Sequence, residues 1–430
     1  MLPYVLYEGE NMNFEECMEF IASYSRLGGR VTDLSRAREL MERIGNPEKK
    51  LKFIHIAGTN GKGSTLEYIA NALVYSGYKT GKFTSPYVTH YTDRIRINDR
   101  EIDEKSLGEI CRFVAENVAD RKYSQFEITM AIAMLWYVRE QCDIVVLETG
   151  IGGLLDSTNV IPPPLLSVIT SVSFDHRDIL GAGLKDIAKQ KAGIIKSNSA
   201  VVLAKDNVPM TAEIVKSFAE EKGAELIELE NCIPYADGGI ISPFIYKKEK
   251  YVPAMLGIHQ FYNAQTAVTA CVYLRSKDFD IPDEAIKKSI ETTSVKARQQ
   301  YIDGEPPVIV DGAHNISGIG VLINALRYLS TRNKKIYTVT GMVDSKDYIQ
   351  CIKNISPYID KLFAVDDFAE NCVSAENITD IAGFYTAAEG CGSLSEAVEK
   401  AKALALENNG IVVICGSLYL ASEYLNKYAE

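Results

Sequence analysis

Short apolar runs alternate with longer amphipathic segments over most of this 430-residue chain. The runs have the length of buried strands, and the segments between them repeat apolar residues with the period of a helix. Alternation at this spacing implies right-handed crossovers and a mainly parallel sheet with helices on both faces, which is an α/β fold. The strands predicted before residue 210 are Lys52–Ala57, Thr80–Thr84, Asp143–Glu148, Leu165–Thr170 and Ala200–Leu203. The helices predicted between them include Ser106–Val118, Glu127–Glu140 and Leu184–Ile195.

Two stretches interrupt this alternation. Residues 1–50 have a helical pattern, with a Leu27–Arg30 loop between two amphipathic segments. Residues 231–253 combine Pro234 and the Gly238-Gly239 pair with short β-rich runs, which predicts antiparallel strands appended to the edge of the sheet. Helices are predicted after them at Phe261–Leu274 and Asp283–Glu291.

The periodicity lapses around Val295–Gly304, and a second alternation of strands and helices follows. It predicts a smaller C-terminal Rossmann-like α/β domain. The predicted boundary lies near residue 297, so that residues 1–296 form the larger domain and residues 297–430 the smaller one. The strands predicted there are Val308–Val310, Lys335–Thr340, Lys361–Val365 and Gly410–Cys415, and the helices are Gly318–Leu329, Asp347–Ile355, Ser393–Leu406 and a closing helix.

Composition narrows the function classes. The chain is 47% hydrophobic, enough to bury sizeable cores, and its net charge of −11 argues against a nucleic-acid-binding surface or an anchor on anionic membranes. No apolar stretch approaches the ~18 residues of a transmembrane helix, and the acidic N-terminus lacks a signal-peptide pattern. The nine cysteines show no C-x-x-C spacing, so we interpret them as reduced core thiols of a cytoplasmic protein.

The most informative segment is Ala57–Ser64, Ala-Gly-Thr-Asn-Gly-Lys-Gly-Ser, directly after the first predicted strand. The backbone N–H groups of a glycine-rich turn converge on an anion, and the following helix points its positive N-terminal end at the same place. Lys62 adds a mobile positive charge for the outer phosphates. The segment therefore predicts a site for a nucleotide polyphosphate, although such a string in isolation more often forms an ordinary turn.

The segment departs from the eight-residue Walker pattern. No glycine lies five residues before Gly61, and Gly63 occupies the position where the usual loop places a Mg²⁺-binding hydroxyl. Ser85, in the Thr84-Ser85-Pro86 stretch that ends the second predicted strand, is a candidate for supplying that hydroxyl. An ordinary Ser-Pro turn is the alternative interpretation.

Polar side chains follow two further predicted strands. Glu148 ends one buried strand, at the edge where open parallel sheets bind ligands. A carboxylate beside a phosphate loop is suited to binding Mg²⁺. A solvated or helix-capping acid is the alternative interpretation. His176 comes just past the next strand, where both a metal or substrate role and a structural role are open. Lys191 lies near the end of a predicted helix and has no special role on physical grounds, since such lysines usually extend to solvent.

Two polar stretches occupy similar positions in the later part of the chain. Residues 257–264 open a predicted helix and include Asn263, and Asp311–Asn315 ends the first strand of the second domain and includes His314. Polar residues at such positions are candidates for facing a cleft between two domains. Ordinary helix capping is the alternative.

Taken together, these segments resemble the folylpolyglutamate synthase and dihydrofolate synthase family within the Mur ligase superfamily. The resemblance runs from Arg26–Arg30 through the phosphate loop to Cys415–Tyr419, so it covers almost the whole chain. The Lys-Gly-Ser ending of the loop and the His259-Gln260-x-x-Asn263-Ala264 string favour the folate branch over the cell-wall ligases.

The resemblance implies roles for residues at matching positions. Ser85 and Glu148 would hold the Mg²⁺ shared with the ATP phosphates, and Glu148 with His176 would hold a second Mg²⁺ nearer the acyl acceptor. Lys191 matches a lysine that relatives carry as a carbamate, and a K⁺ ion is a further expected cofactor. The residues expected to bind the nucleotide are Gly58, Thr59, Asn60, Gly61, Lys62, Gly63, Ser64, Asn263, Arg298 and Asp311.

The resemblance also bears on the substrates. Asp156 lies in the loop that contacts the pterin in relatives, and His314 would lie near the terminal phosphate or the incoming glutamate. The chain departs from the family at Leu154, where many relatives have arginine. It also departs at Lys296-Ala297-Arg298, which keeps the arginine of the usual Pro-Gly-Arg linker without its glycine.

The implied activity is ATP-dependent ligation of L-glutamate to a folate, and to dihydropteroate in bifunctional relatives, through an acyl phosphate with release of ADP and phosphate. Residues 1–296 would bind ATP, and residues 297–430 would bind glutamate and close over the nucleotide.

Only small-molecule partners are expected, without nucleic acid or membrane, and family members are commonly monomers. Two alternatives stay open, a ligase acting on a cell-wall precursor and an inactive nucleotide-binding regulator. The expected catalytic residues are Lys62, Glu148, His176, Lys191 and His314.

Overall fold

The computed structural model describes residues 11–25, 33–118, 122–232, 234, 243–344 and 347–429. The predicted Leu27–Arg30 loop and the Gly238-Gly239 pair lie outside the described residues. No helix in the described part of the chain is long and apolar enough to cross a membrane.

Contacts divide the chain into two compact units. The first contains Met1–Tyr87, Tyr91–Asn231 and Asn263–Ser289. The second contains Val88–His90, Cys232–Tyr262 and Ile290–Glu430. The domain boundary near residue 297 stays a prediction from sequence.

The first unit is built on a mixed sheet of eight strands in its described residues. The strands are β1 Phe53–Ala57, β2 Thr80–Phe83, β3 Ile95–Ile97, β4 Arg100–Glu101, β5 Ile144–Glu148, β6 Leu166–Ile169, β7 Ala200–Leu203 and β8 Glu225–Ile227. Their order across the sheet is β4-β3-β2-β5-β1-β6-β7-β8. The six strands from β2 to β8 are parallel, and β3 and β4 pair antiparallel at one edge.

Two helices precede these strands, and further helices connect them. They are α1 Phe14–Ala22, α2 Ser35–Arg43, α3 Lys62–Tyr75, α4 Glu104–Asn117, α5 Gln125–Arg139, α6 Arg177–Leu180, α7 Leu184–Ala192 and α8 Pro209–Lys222. Two more helices, α9 Ile258–Leu274 and α10 Asp283–Thr292, contain residues from both units. The predicted α/β fold with a mainly parallel sheet is confirmed.

The register of the central strands places several loops at one edge of the sheet. All five residues of β1 are buried, as expected for a strand covered on both faces. Parallel pairing sets Ile56 opposite Glu148 and Ala57 opposite Ile169. The segments that follow β1, β5 and β6 therefore leave the sheet side by side, which is where open α/β sheets bind ligands.

The second unit contains a six-stranded sheet and a separate hairpin in its described residues. The strands are β9 Phe244–Tyr246, β10 Glu249–Tyr251, β11 Gln300–Ile302, β12 Val308–Val310, β13 Ile336–Thr340, β14 Lys361–Ala364, β15 Ala387–Gly390 and β16 Ile411–Cys415. The larger sheet has the order β11-β12-β16-β13-β14-β15, parallel except for β11. Its helices are α11 Ile316–Thr331, α12 Tyr348–Ile355, α13 Ala375–Ala382, α14 Leu394–Glu407 and α15 Leu418–Tyr428.

The hairpin corrects one expectation from sequence. Strands β9 and β10 pair with each other in a two-stranded sheet and do not extend the edge of the eight-stranded sheet. Lys247 and Lys248 connect them, both with positive φ, at 45° and 76°. Two successive left-handed residues form the kind of tight turn that folds a chain back on itself, so the strands partner each other.

Candidate active site

The glycine loop joins the buried end of β1 to the start of α3. Gly61 precedes the first helical residue, Lys62, with a φ of 85° in the left-handed region. A Cβ atom at Gly61 would lie 2.3 Å from Asn263 Oδ1, so both the backbone angle and the packing require glycine. Absence of a side chain leaves the backbone N–H groups at the helix N-terminus accessible to an anion.

The loop is held in place by the segment after β6. The Thr59 amide donates to the Ser171 carbonyl oxygen at 2.7 Å, and the Thr170 hydroxyl donates to the Asn60 carbonyl oxygen at 2.7 Å. A Cβ at Gly58 would lie only 1.8 Å from Thr170 Oγ1. These contacts fix the loop before any ligand arrives, which lowers the ordering cost of binding.

Three predicted site residues meet beside this loop. Lys62 Nζ lies 3.6 Å from Glu148 Oε1, and the Ser85 amide donates to Glu148 Oε2 at 3.2 Å. Glu148 is buried, and the Lys62 side chain is 15% exposed. A buried carboxylate beside a loop lysine and a serine gives the cluster both signs of charge at the ends of β1, β2 and β5.

Lys191 is buried in the same region. Its Nζ donates to the Gly58 carbonyl oxygen at 2.6 Å. Burial lowers the pKa of Lys191 to about 7, and the nearby Lys62 ammonium adds to this effect. Asp175 and Asp156 oppose the shift. At neutral pH a substantial fraction of Lys191 is therefore the uncharged amine, which is the nucleophilic form.

His176 and Asp175 follow β6. His176 has a φ of 48° and precedes the four-residue helix α6. Its Nε2 lies 3.9 Å from Asp175 Oδ1, and its side chain is 38% exposed. Sequence analysis missed Asp175, although it lies at the same strand end as His176 and acts electrostatically on Lys191.

Asp156 faces its own loop. Its Oδ2 accepts a hydrogen bond from the Ile151 amide at 2.8 Å, and its Oδ1 accepts from the Thr158 amide at 3.0 Å and the Thr158 hydroxyl at 2.5 Å. Burial raises the pKa of Asp156, and these hydrogen bonds oppose the increase. The carboxylate is thus occupied in shaping residues 150–158.

Arg94 is a second residue that sequence analysis missed. Its guanidinium lies 5.9 Å from the centre of the Tyr91 ring and 5.7 Å from that of Phe126, and Glu148 acts on it electrostatically. Its Nε is buried without a hydrogen-bond partner among the described residues. An arginine directly before β3 in an acidic chain was the available signal, since such a cation suits an anionic substrate.

The predicted residues of the second unit gather at the end of β12. Asp311 is 7% exposed and accepts a hydrogen bond from the Ala313 amide at 2.7 Å. Burial raises the pKa of Asp311 to about 6 against the opposing influence of Arg298. His314 Nδ1 donates to the Gly312 carbonyl oxygen at 3.0 Å. Arg298, Asp311 and His314 thus form one local group, whereas Asn263 lies beside Gly61 in the first unit.

Comparisons with known proteins agree with this arrangement. The Mur ligase middle domain matches residues 56–271, and the Mur ligase glutamate ligase domain matches residues 297–418. The dihydrofolate synthase/folylpolyglutamate synthase of Bacillus subtilis is 32% identical over 91% of this chain and 93% of its own length. The chain belongs to this family of Mur ligases. The resemblance predicted from the motifs is therefore confirmed.

Further relatives and solved structures support the same family. The folylpolyglutamate synthase of Lacticaseibacillus casei is 32% identical over 96% of this chain and 97% of its own length. E. coli FolC in complex with DHPP and ADP superposes with a TM-score of 0.84 at 25% identity, covering 95% of this chain and 96% of FolC. The apo form of L. casei FPGS gives a TM-score of 0.83 at 28% identity, over 97% of this chain and all of FPGS (100%).

Magnesium, the metal that Mur ligases are expected to use, can be tested against these residues. The described residues contain no group of three or more His, Cys, Asp or Glu side chains placed to hold a metal ion. The predicted set of Ser85 and Glu148 offers oxygen donors, which is the chemistry that Mg²⁺ prefers. Mg²⁺ usually keeps several waters and binds through one or two carboxylates plus substrate phosphates. The residues therefore fit a magnesium ion that is shared with a nucleotide.

Proposed function

We propose that this chain is an ATP-dependent ligase that joins L-glutamate to a folate and releases ADP and phosphate. The observation that carries the proposal is the meeting of Lys62, Glu148, Ser85 and Lys191 around the preformed glycine loop. The high coverage of relatives named folylpolyglutamate synthase supports folate as the acceptor.

The glycine loop binds the phosphates in this proposal. The N–H groups at the start of α3 and the Lys62 ammonium face the transferred phosphoryl group and neutralise charge that develops on it. Ser85 and Glu148 would hold one Mg²⁺, and Glu148 with His176 a second; when bound, these ions supply further charge stabilisation. Asn263, Arg298 and Asp311 would bind the nucleotide, and a K⁺ ion is part of the same expectation.

Lys191 would act as a carbamate. Its uncharged amine adds to CO₂, forming an N–C bond and releasing one proton, and the side chain then carries a negative charge. This change removes the repulsion between the Lys62 and Lys191 ammonium groups, which contributes to the low pKa of Lys191. A carbamate would therefore be stabilised electrostatically by Lys62.

Ligation would proceed in two steps. The folate carboxylate attacks the γ-phosphorus of ATP, forming an acyl phosphate and ADP. The glutamate amine then attacks the acyl carbon, and phosphate leaves as the amide bond forms. The amine must lose a proton before it attacks, and His314 is the base we assign. The loop that Asp156 shapes would contact the pterin, and Arg94 beside the Phe126 ring supplies a cation for the folate carboxylate.

Substrate-dependent ADP release tests this function. The enzyme is incubated with ATP and L-glutamate plus tetrahydrofolate, dihydropteroate or a UDP-muramyl precursor, and the products are identified by mass. Turnover with tetrahydrofolate supports the proposal, and turnover with dihydropteroate as well establishes a bifunctional enzyme. Turnover only with the muramyl precursor, or with no acceptor, would overturn it. Reactions without glutamate are the control.

A further inference from the structure

His55 lies in the middle of β1 and is fully buried. Burial lowers its pKa to about 3, and the Lys196 ammonium adds to the shift. The imidazole is therefore neutral over the physiological pH range, with one nitrogen protonated and the other not. None of the roles assigned above to the site residues uses this side chain.

Two hydrogen bonds in series, here called the His55 relay, connect His55 through Thr158 to Asp156. His55 Nε2 lies 2.8 Å from Thr158 Oγ1, and the Thr158 hydroxyl donates to Asp156 Oδ1 at 2.5 Å. A carboxylate can only accept hydrogen bonds, so the Thr158 hydroxyl donates its one proton to Asp156. Thr158 Oγ1 must therefore accept a hydrogen bond from the protonated Nε2 of His55. His55 Nδ1 is buried without a partner among the described residues. In this tautomer Nδ1 carries a lone pair, which avoids the larger cost of an unpaired N–H group.

These hydrogen bonds end on a loop that follows Glu148 and packs against α7, the helix that carries Lys191. This loop, residues 149–158, begins directly after Glu148. Within it, the Ile151 amide donates a hydrogen bond to Asp156. The other side of the loop packs on α7, where the Leu154 amide donates to the Gln190 carbonyl oxygen at 2.6 Å. A Cβ at Gly153 would lie 3.2 Å from Lys191 Cα. The shape of this loop therefore affects the space between Glu148 and Lys191.

The exposed face of the loop suits an aromatic acyl substrate. The position of a Cβ at Gly150 is 2.9 Å from the Phe126 ring, and the Leu154 side chain is 40% exposed. Apolar side chains at the edge of a sheet are typical of small-molecule sites. The glycine loop, by contrast, is held by residues 170–173. Loss of the His55 relay would therefore leave the hydrogen bonds of the glycine loop intact.

We propose that His55 is a positioning residue that holds Asp156 through the Thr158 hydroxyl and thereby fixes the 149–158 loop for the acyl substrate. This inference rests on the proposed function, because it assigns the loop to the folate side of the reaction. If this position only filled the core, an apolar side chain would serve without the cost of a buried, unpaired nitrogen. The hydrogen bond to Thr158 is the feature that such a side chain would lack.

Substitutions at Thr158 test the relay at nearly constant volume. Thr158→Val removes the hydroxyl, and Thr158→Ser retains it. The KM for tetrahydrofolate or dihydropteroate should rise about tenfold in the valine variant, the effect expected for one lost hydrogen bond to a charged group. The KM for ATP should stay within about twofold, and the serine variant should restore the acyl-substrate KM.

A double-mutant cycle assigns the effect to His55. His55→Leu should raise the same KM, and His55→Gln, which keeps a donor, should restore part of it. Because both residues act through the same relay, the His55→Leu/Thr158→Val double variant should have the same KM for the acyl substrate as Thr158→Val alone. Additive losses would show that His55 does not act through Thr158.

A buried threonine at the opposite end of the sheet is the matched control. Thr80 starts β2, is fully buried and donates from Oγ1 to the Tyr78 carbonyl oxygen at 3.2 Å. Thr80→Val should lower stability without changing the KM for either substrate. If Thr158→Val behaves in the same way, the relay is structural only and the inference is overturned.

Amide hydrogen exchange separates failure of the inference from failure of the proposed function. Exchange of residues 150–158 should become faster in Thr158→Val and not in Thr80→Val, whether or not the enzyme is active. A wild-type enzyme without folate-dependent ADP release would overturn the proposed function and the assignment of the loop to folate. Unchanged exchange in Thr158→Val would overturn the positioning role itself.

Discussion

Lys191 Nζ donates a hydrogen bond to the Gly58 carbonyl oxygen at 2.6 Å, across 133 positions of sequence. This contact links α7 to the first residue of the glycine loop and places an amine with a pKa of about 7 beside Lys62. An ammonium at this position opposes the charge of Lys62, whereas a carbamate complements it. The contact makes the chemical state of Lys191 a direct question for experiment.

Lys191→Ala should lose most of its turnover and recover part of it when acetate is added. The small carboxylate would occupy the space of the proposed carbamate. Steady-state ADP release with and without acetate measures the effect. Lys189→Ala, an exposed lysine on the same helix, is the control and should keep normal activity without acetate. Unchanged activity of Lys191→Ala would remove this lysine from the mechanism.

The stability of the unmodified protein should depend on the titration of Lys191. Its pKa is about 7 in the folded protein and 10.5 for an ordinary solvated lysine, so between these values the unfolded chain binds more protons. The free energy of unfolding should therefore rise with pH from about 7 to about 10, by on the order of 4 kcal/mol relative to Lys191→Met. Denaturant titrations of CO₂-free protein measure this difference. No pH dependence relative to Lys191→Met would contradict the buried amine.

Glu148→Gln should reduce turnover at least about 100-fold, since an amide has neither the charge that pairs with Lys62 nor the affinity of a carboxylate for Mg²⁺. ADP release measured over a range of Mg²⁺ concentrations gives the result. Glu109→Gln, which breaks only a surface ion pair with Arg139, is the control. Near-normal activity of Glu148→Gln at limiting Mg²⁺ would refute the role of Glu148.

Gly61→Ala should abolish detectable ATP binding. The added Cβ would enter the space of Asn263 Oδ1 and would require a left-handed alanine. Gly77→Ala is the matched control, because Gly77 has a φ of 90° after the same helix and its Cβ would meet nothing within 4 Å. Gly77→Ala should lose about 1 kcal/mol of stability from the left-handed alanine alone. Gly61→Ala should lose more because of its clash with Asn263, and only Gly61→Ala should lose nucleotide affinity in calorimetry. Equal ATP affinity in the two variants would argue against the glycine loop as the phosphate site.

Glu67→Gln should destabilise the first unit by about 3 kcal/mol, because it leaves the buried Lys82 ammonium with a weaker set of partners. Lys82 is fully buried and lies 3.0 Å from Glu67 and 3.1 Å from the exposed Asp99. Urea unfolding measures the loss. Asp360→Asn, at a surface pair with Lys335, should change the free energy of unfolding by less than about 1 kcal/mol. A similarly small loss in Glu67→Gln would show that the buried pair is not stabilising.

The sequence predicted the central strands because their residues are continuously apolar. Strands β1 and β5 are each buried at all five positions, so their composition carries the signal. Strand β15 has no buried residue, and β4 has only two residues, one of them exposed. Such edge strands form through pairing with a neighbour and leave no apolar run to detect. The sequence therefore predicted the centre of each sheet better than its edges.

The site was predictable where chemistry follows a strand end directly. Glu148 and the glycine loop lie at such ends, and their residue types predict metal and phosphate binding. The burial of Lys191 was not predictable, because its low pKa depends on packing against a loop far away in sequence. Arg94 likewise depends on the rings of Tyr91 and Phe126, which tertiary structure brings beside it. Local sequence does not encode these distances.

Transfer of labelled oxygen tests the central claim most directly. Tetrahydrofolate or dihydropteroate labelled with ¹⁸O in the reacting carboxylate is incubated with ATP, L-glutamate and the enzyme, and the released phosphate is analysed by mass. Activation through an acyl phosphate predicts one ¹⁸O atom in each phosphate, together with a product heavier by one glutamate residue. Glutamylated product with unlabelled phosphate would contradict the acyl phosphate, and labelled folate recovered without glutamate would contradict the ligase.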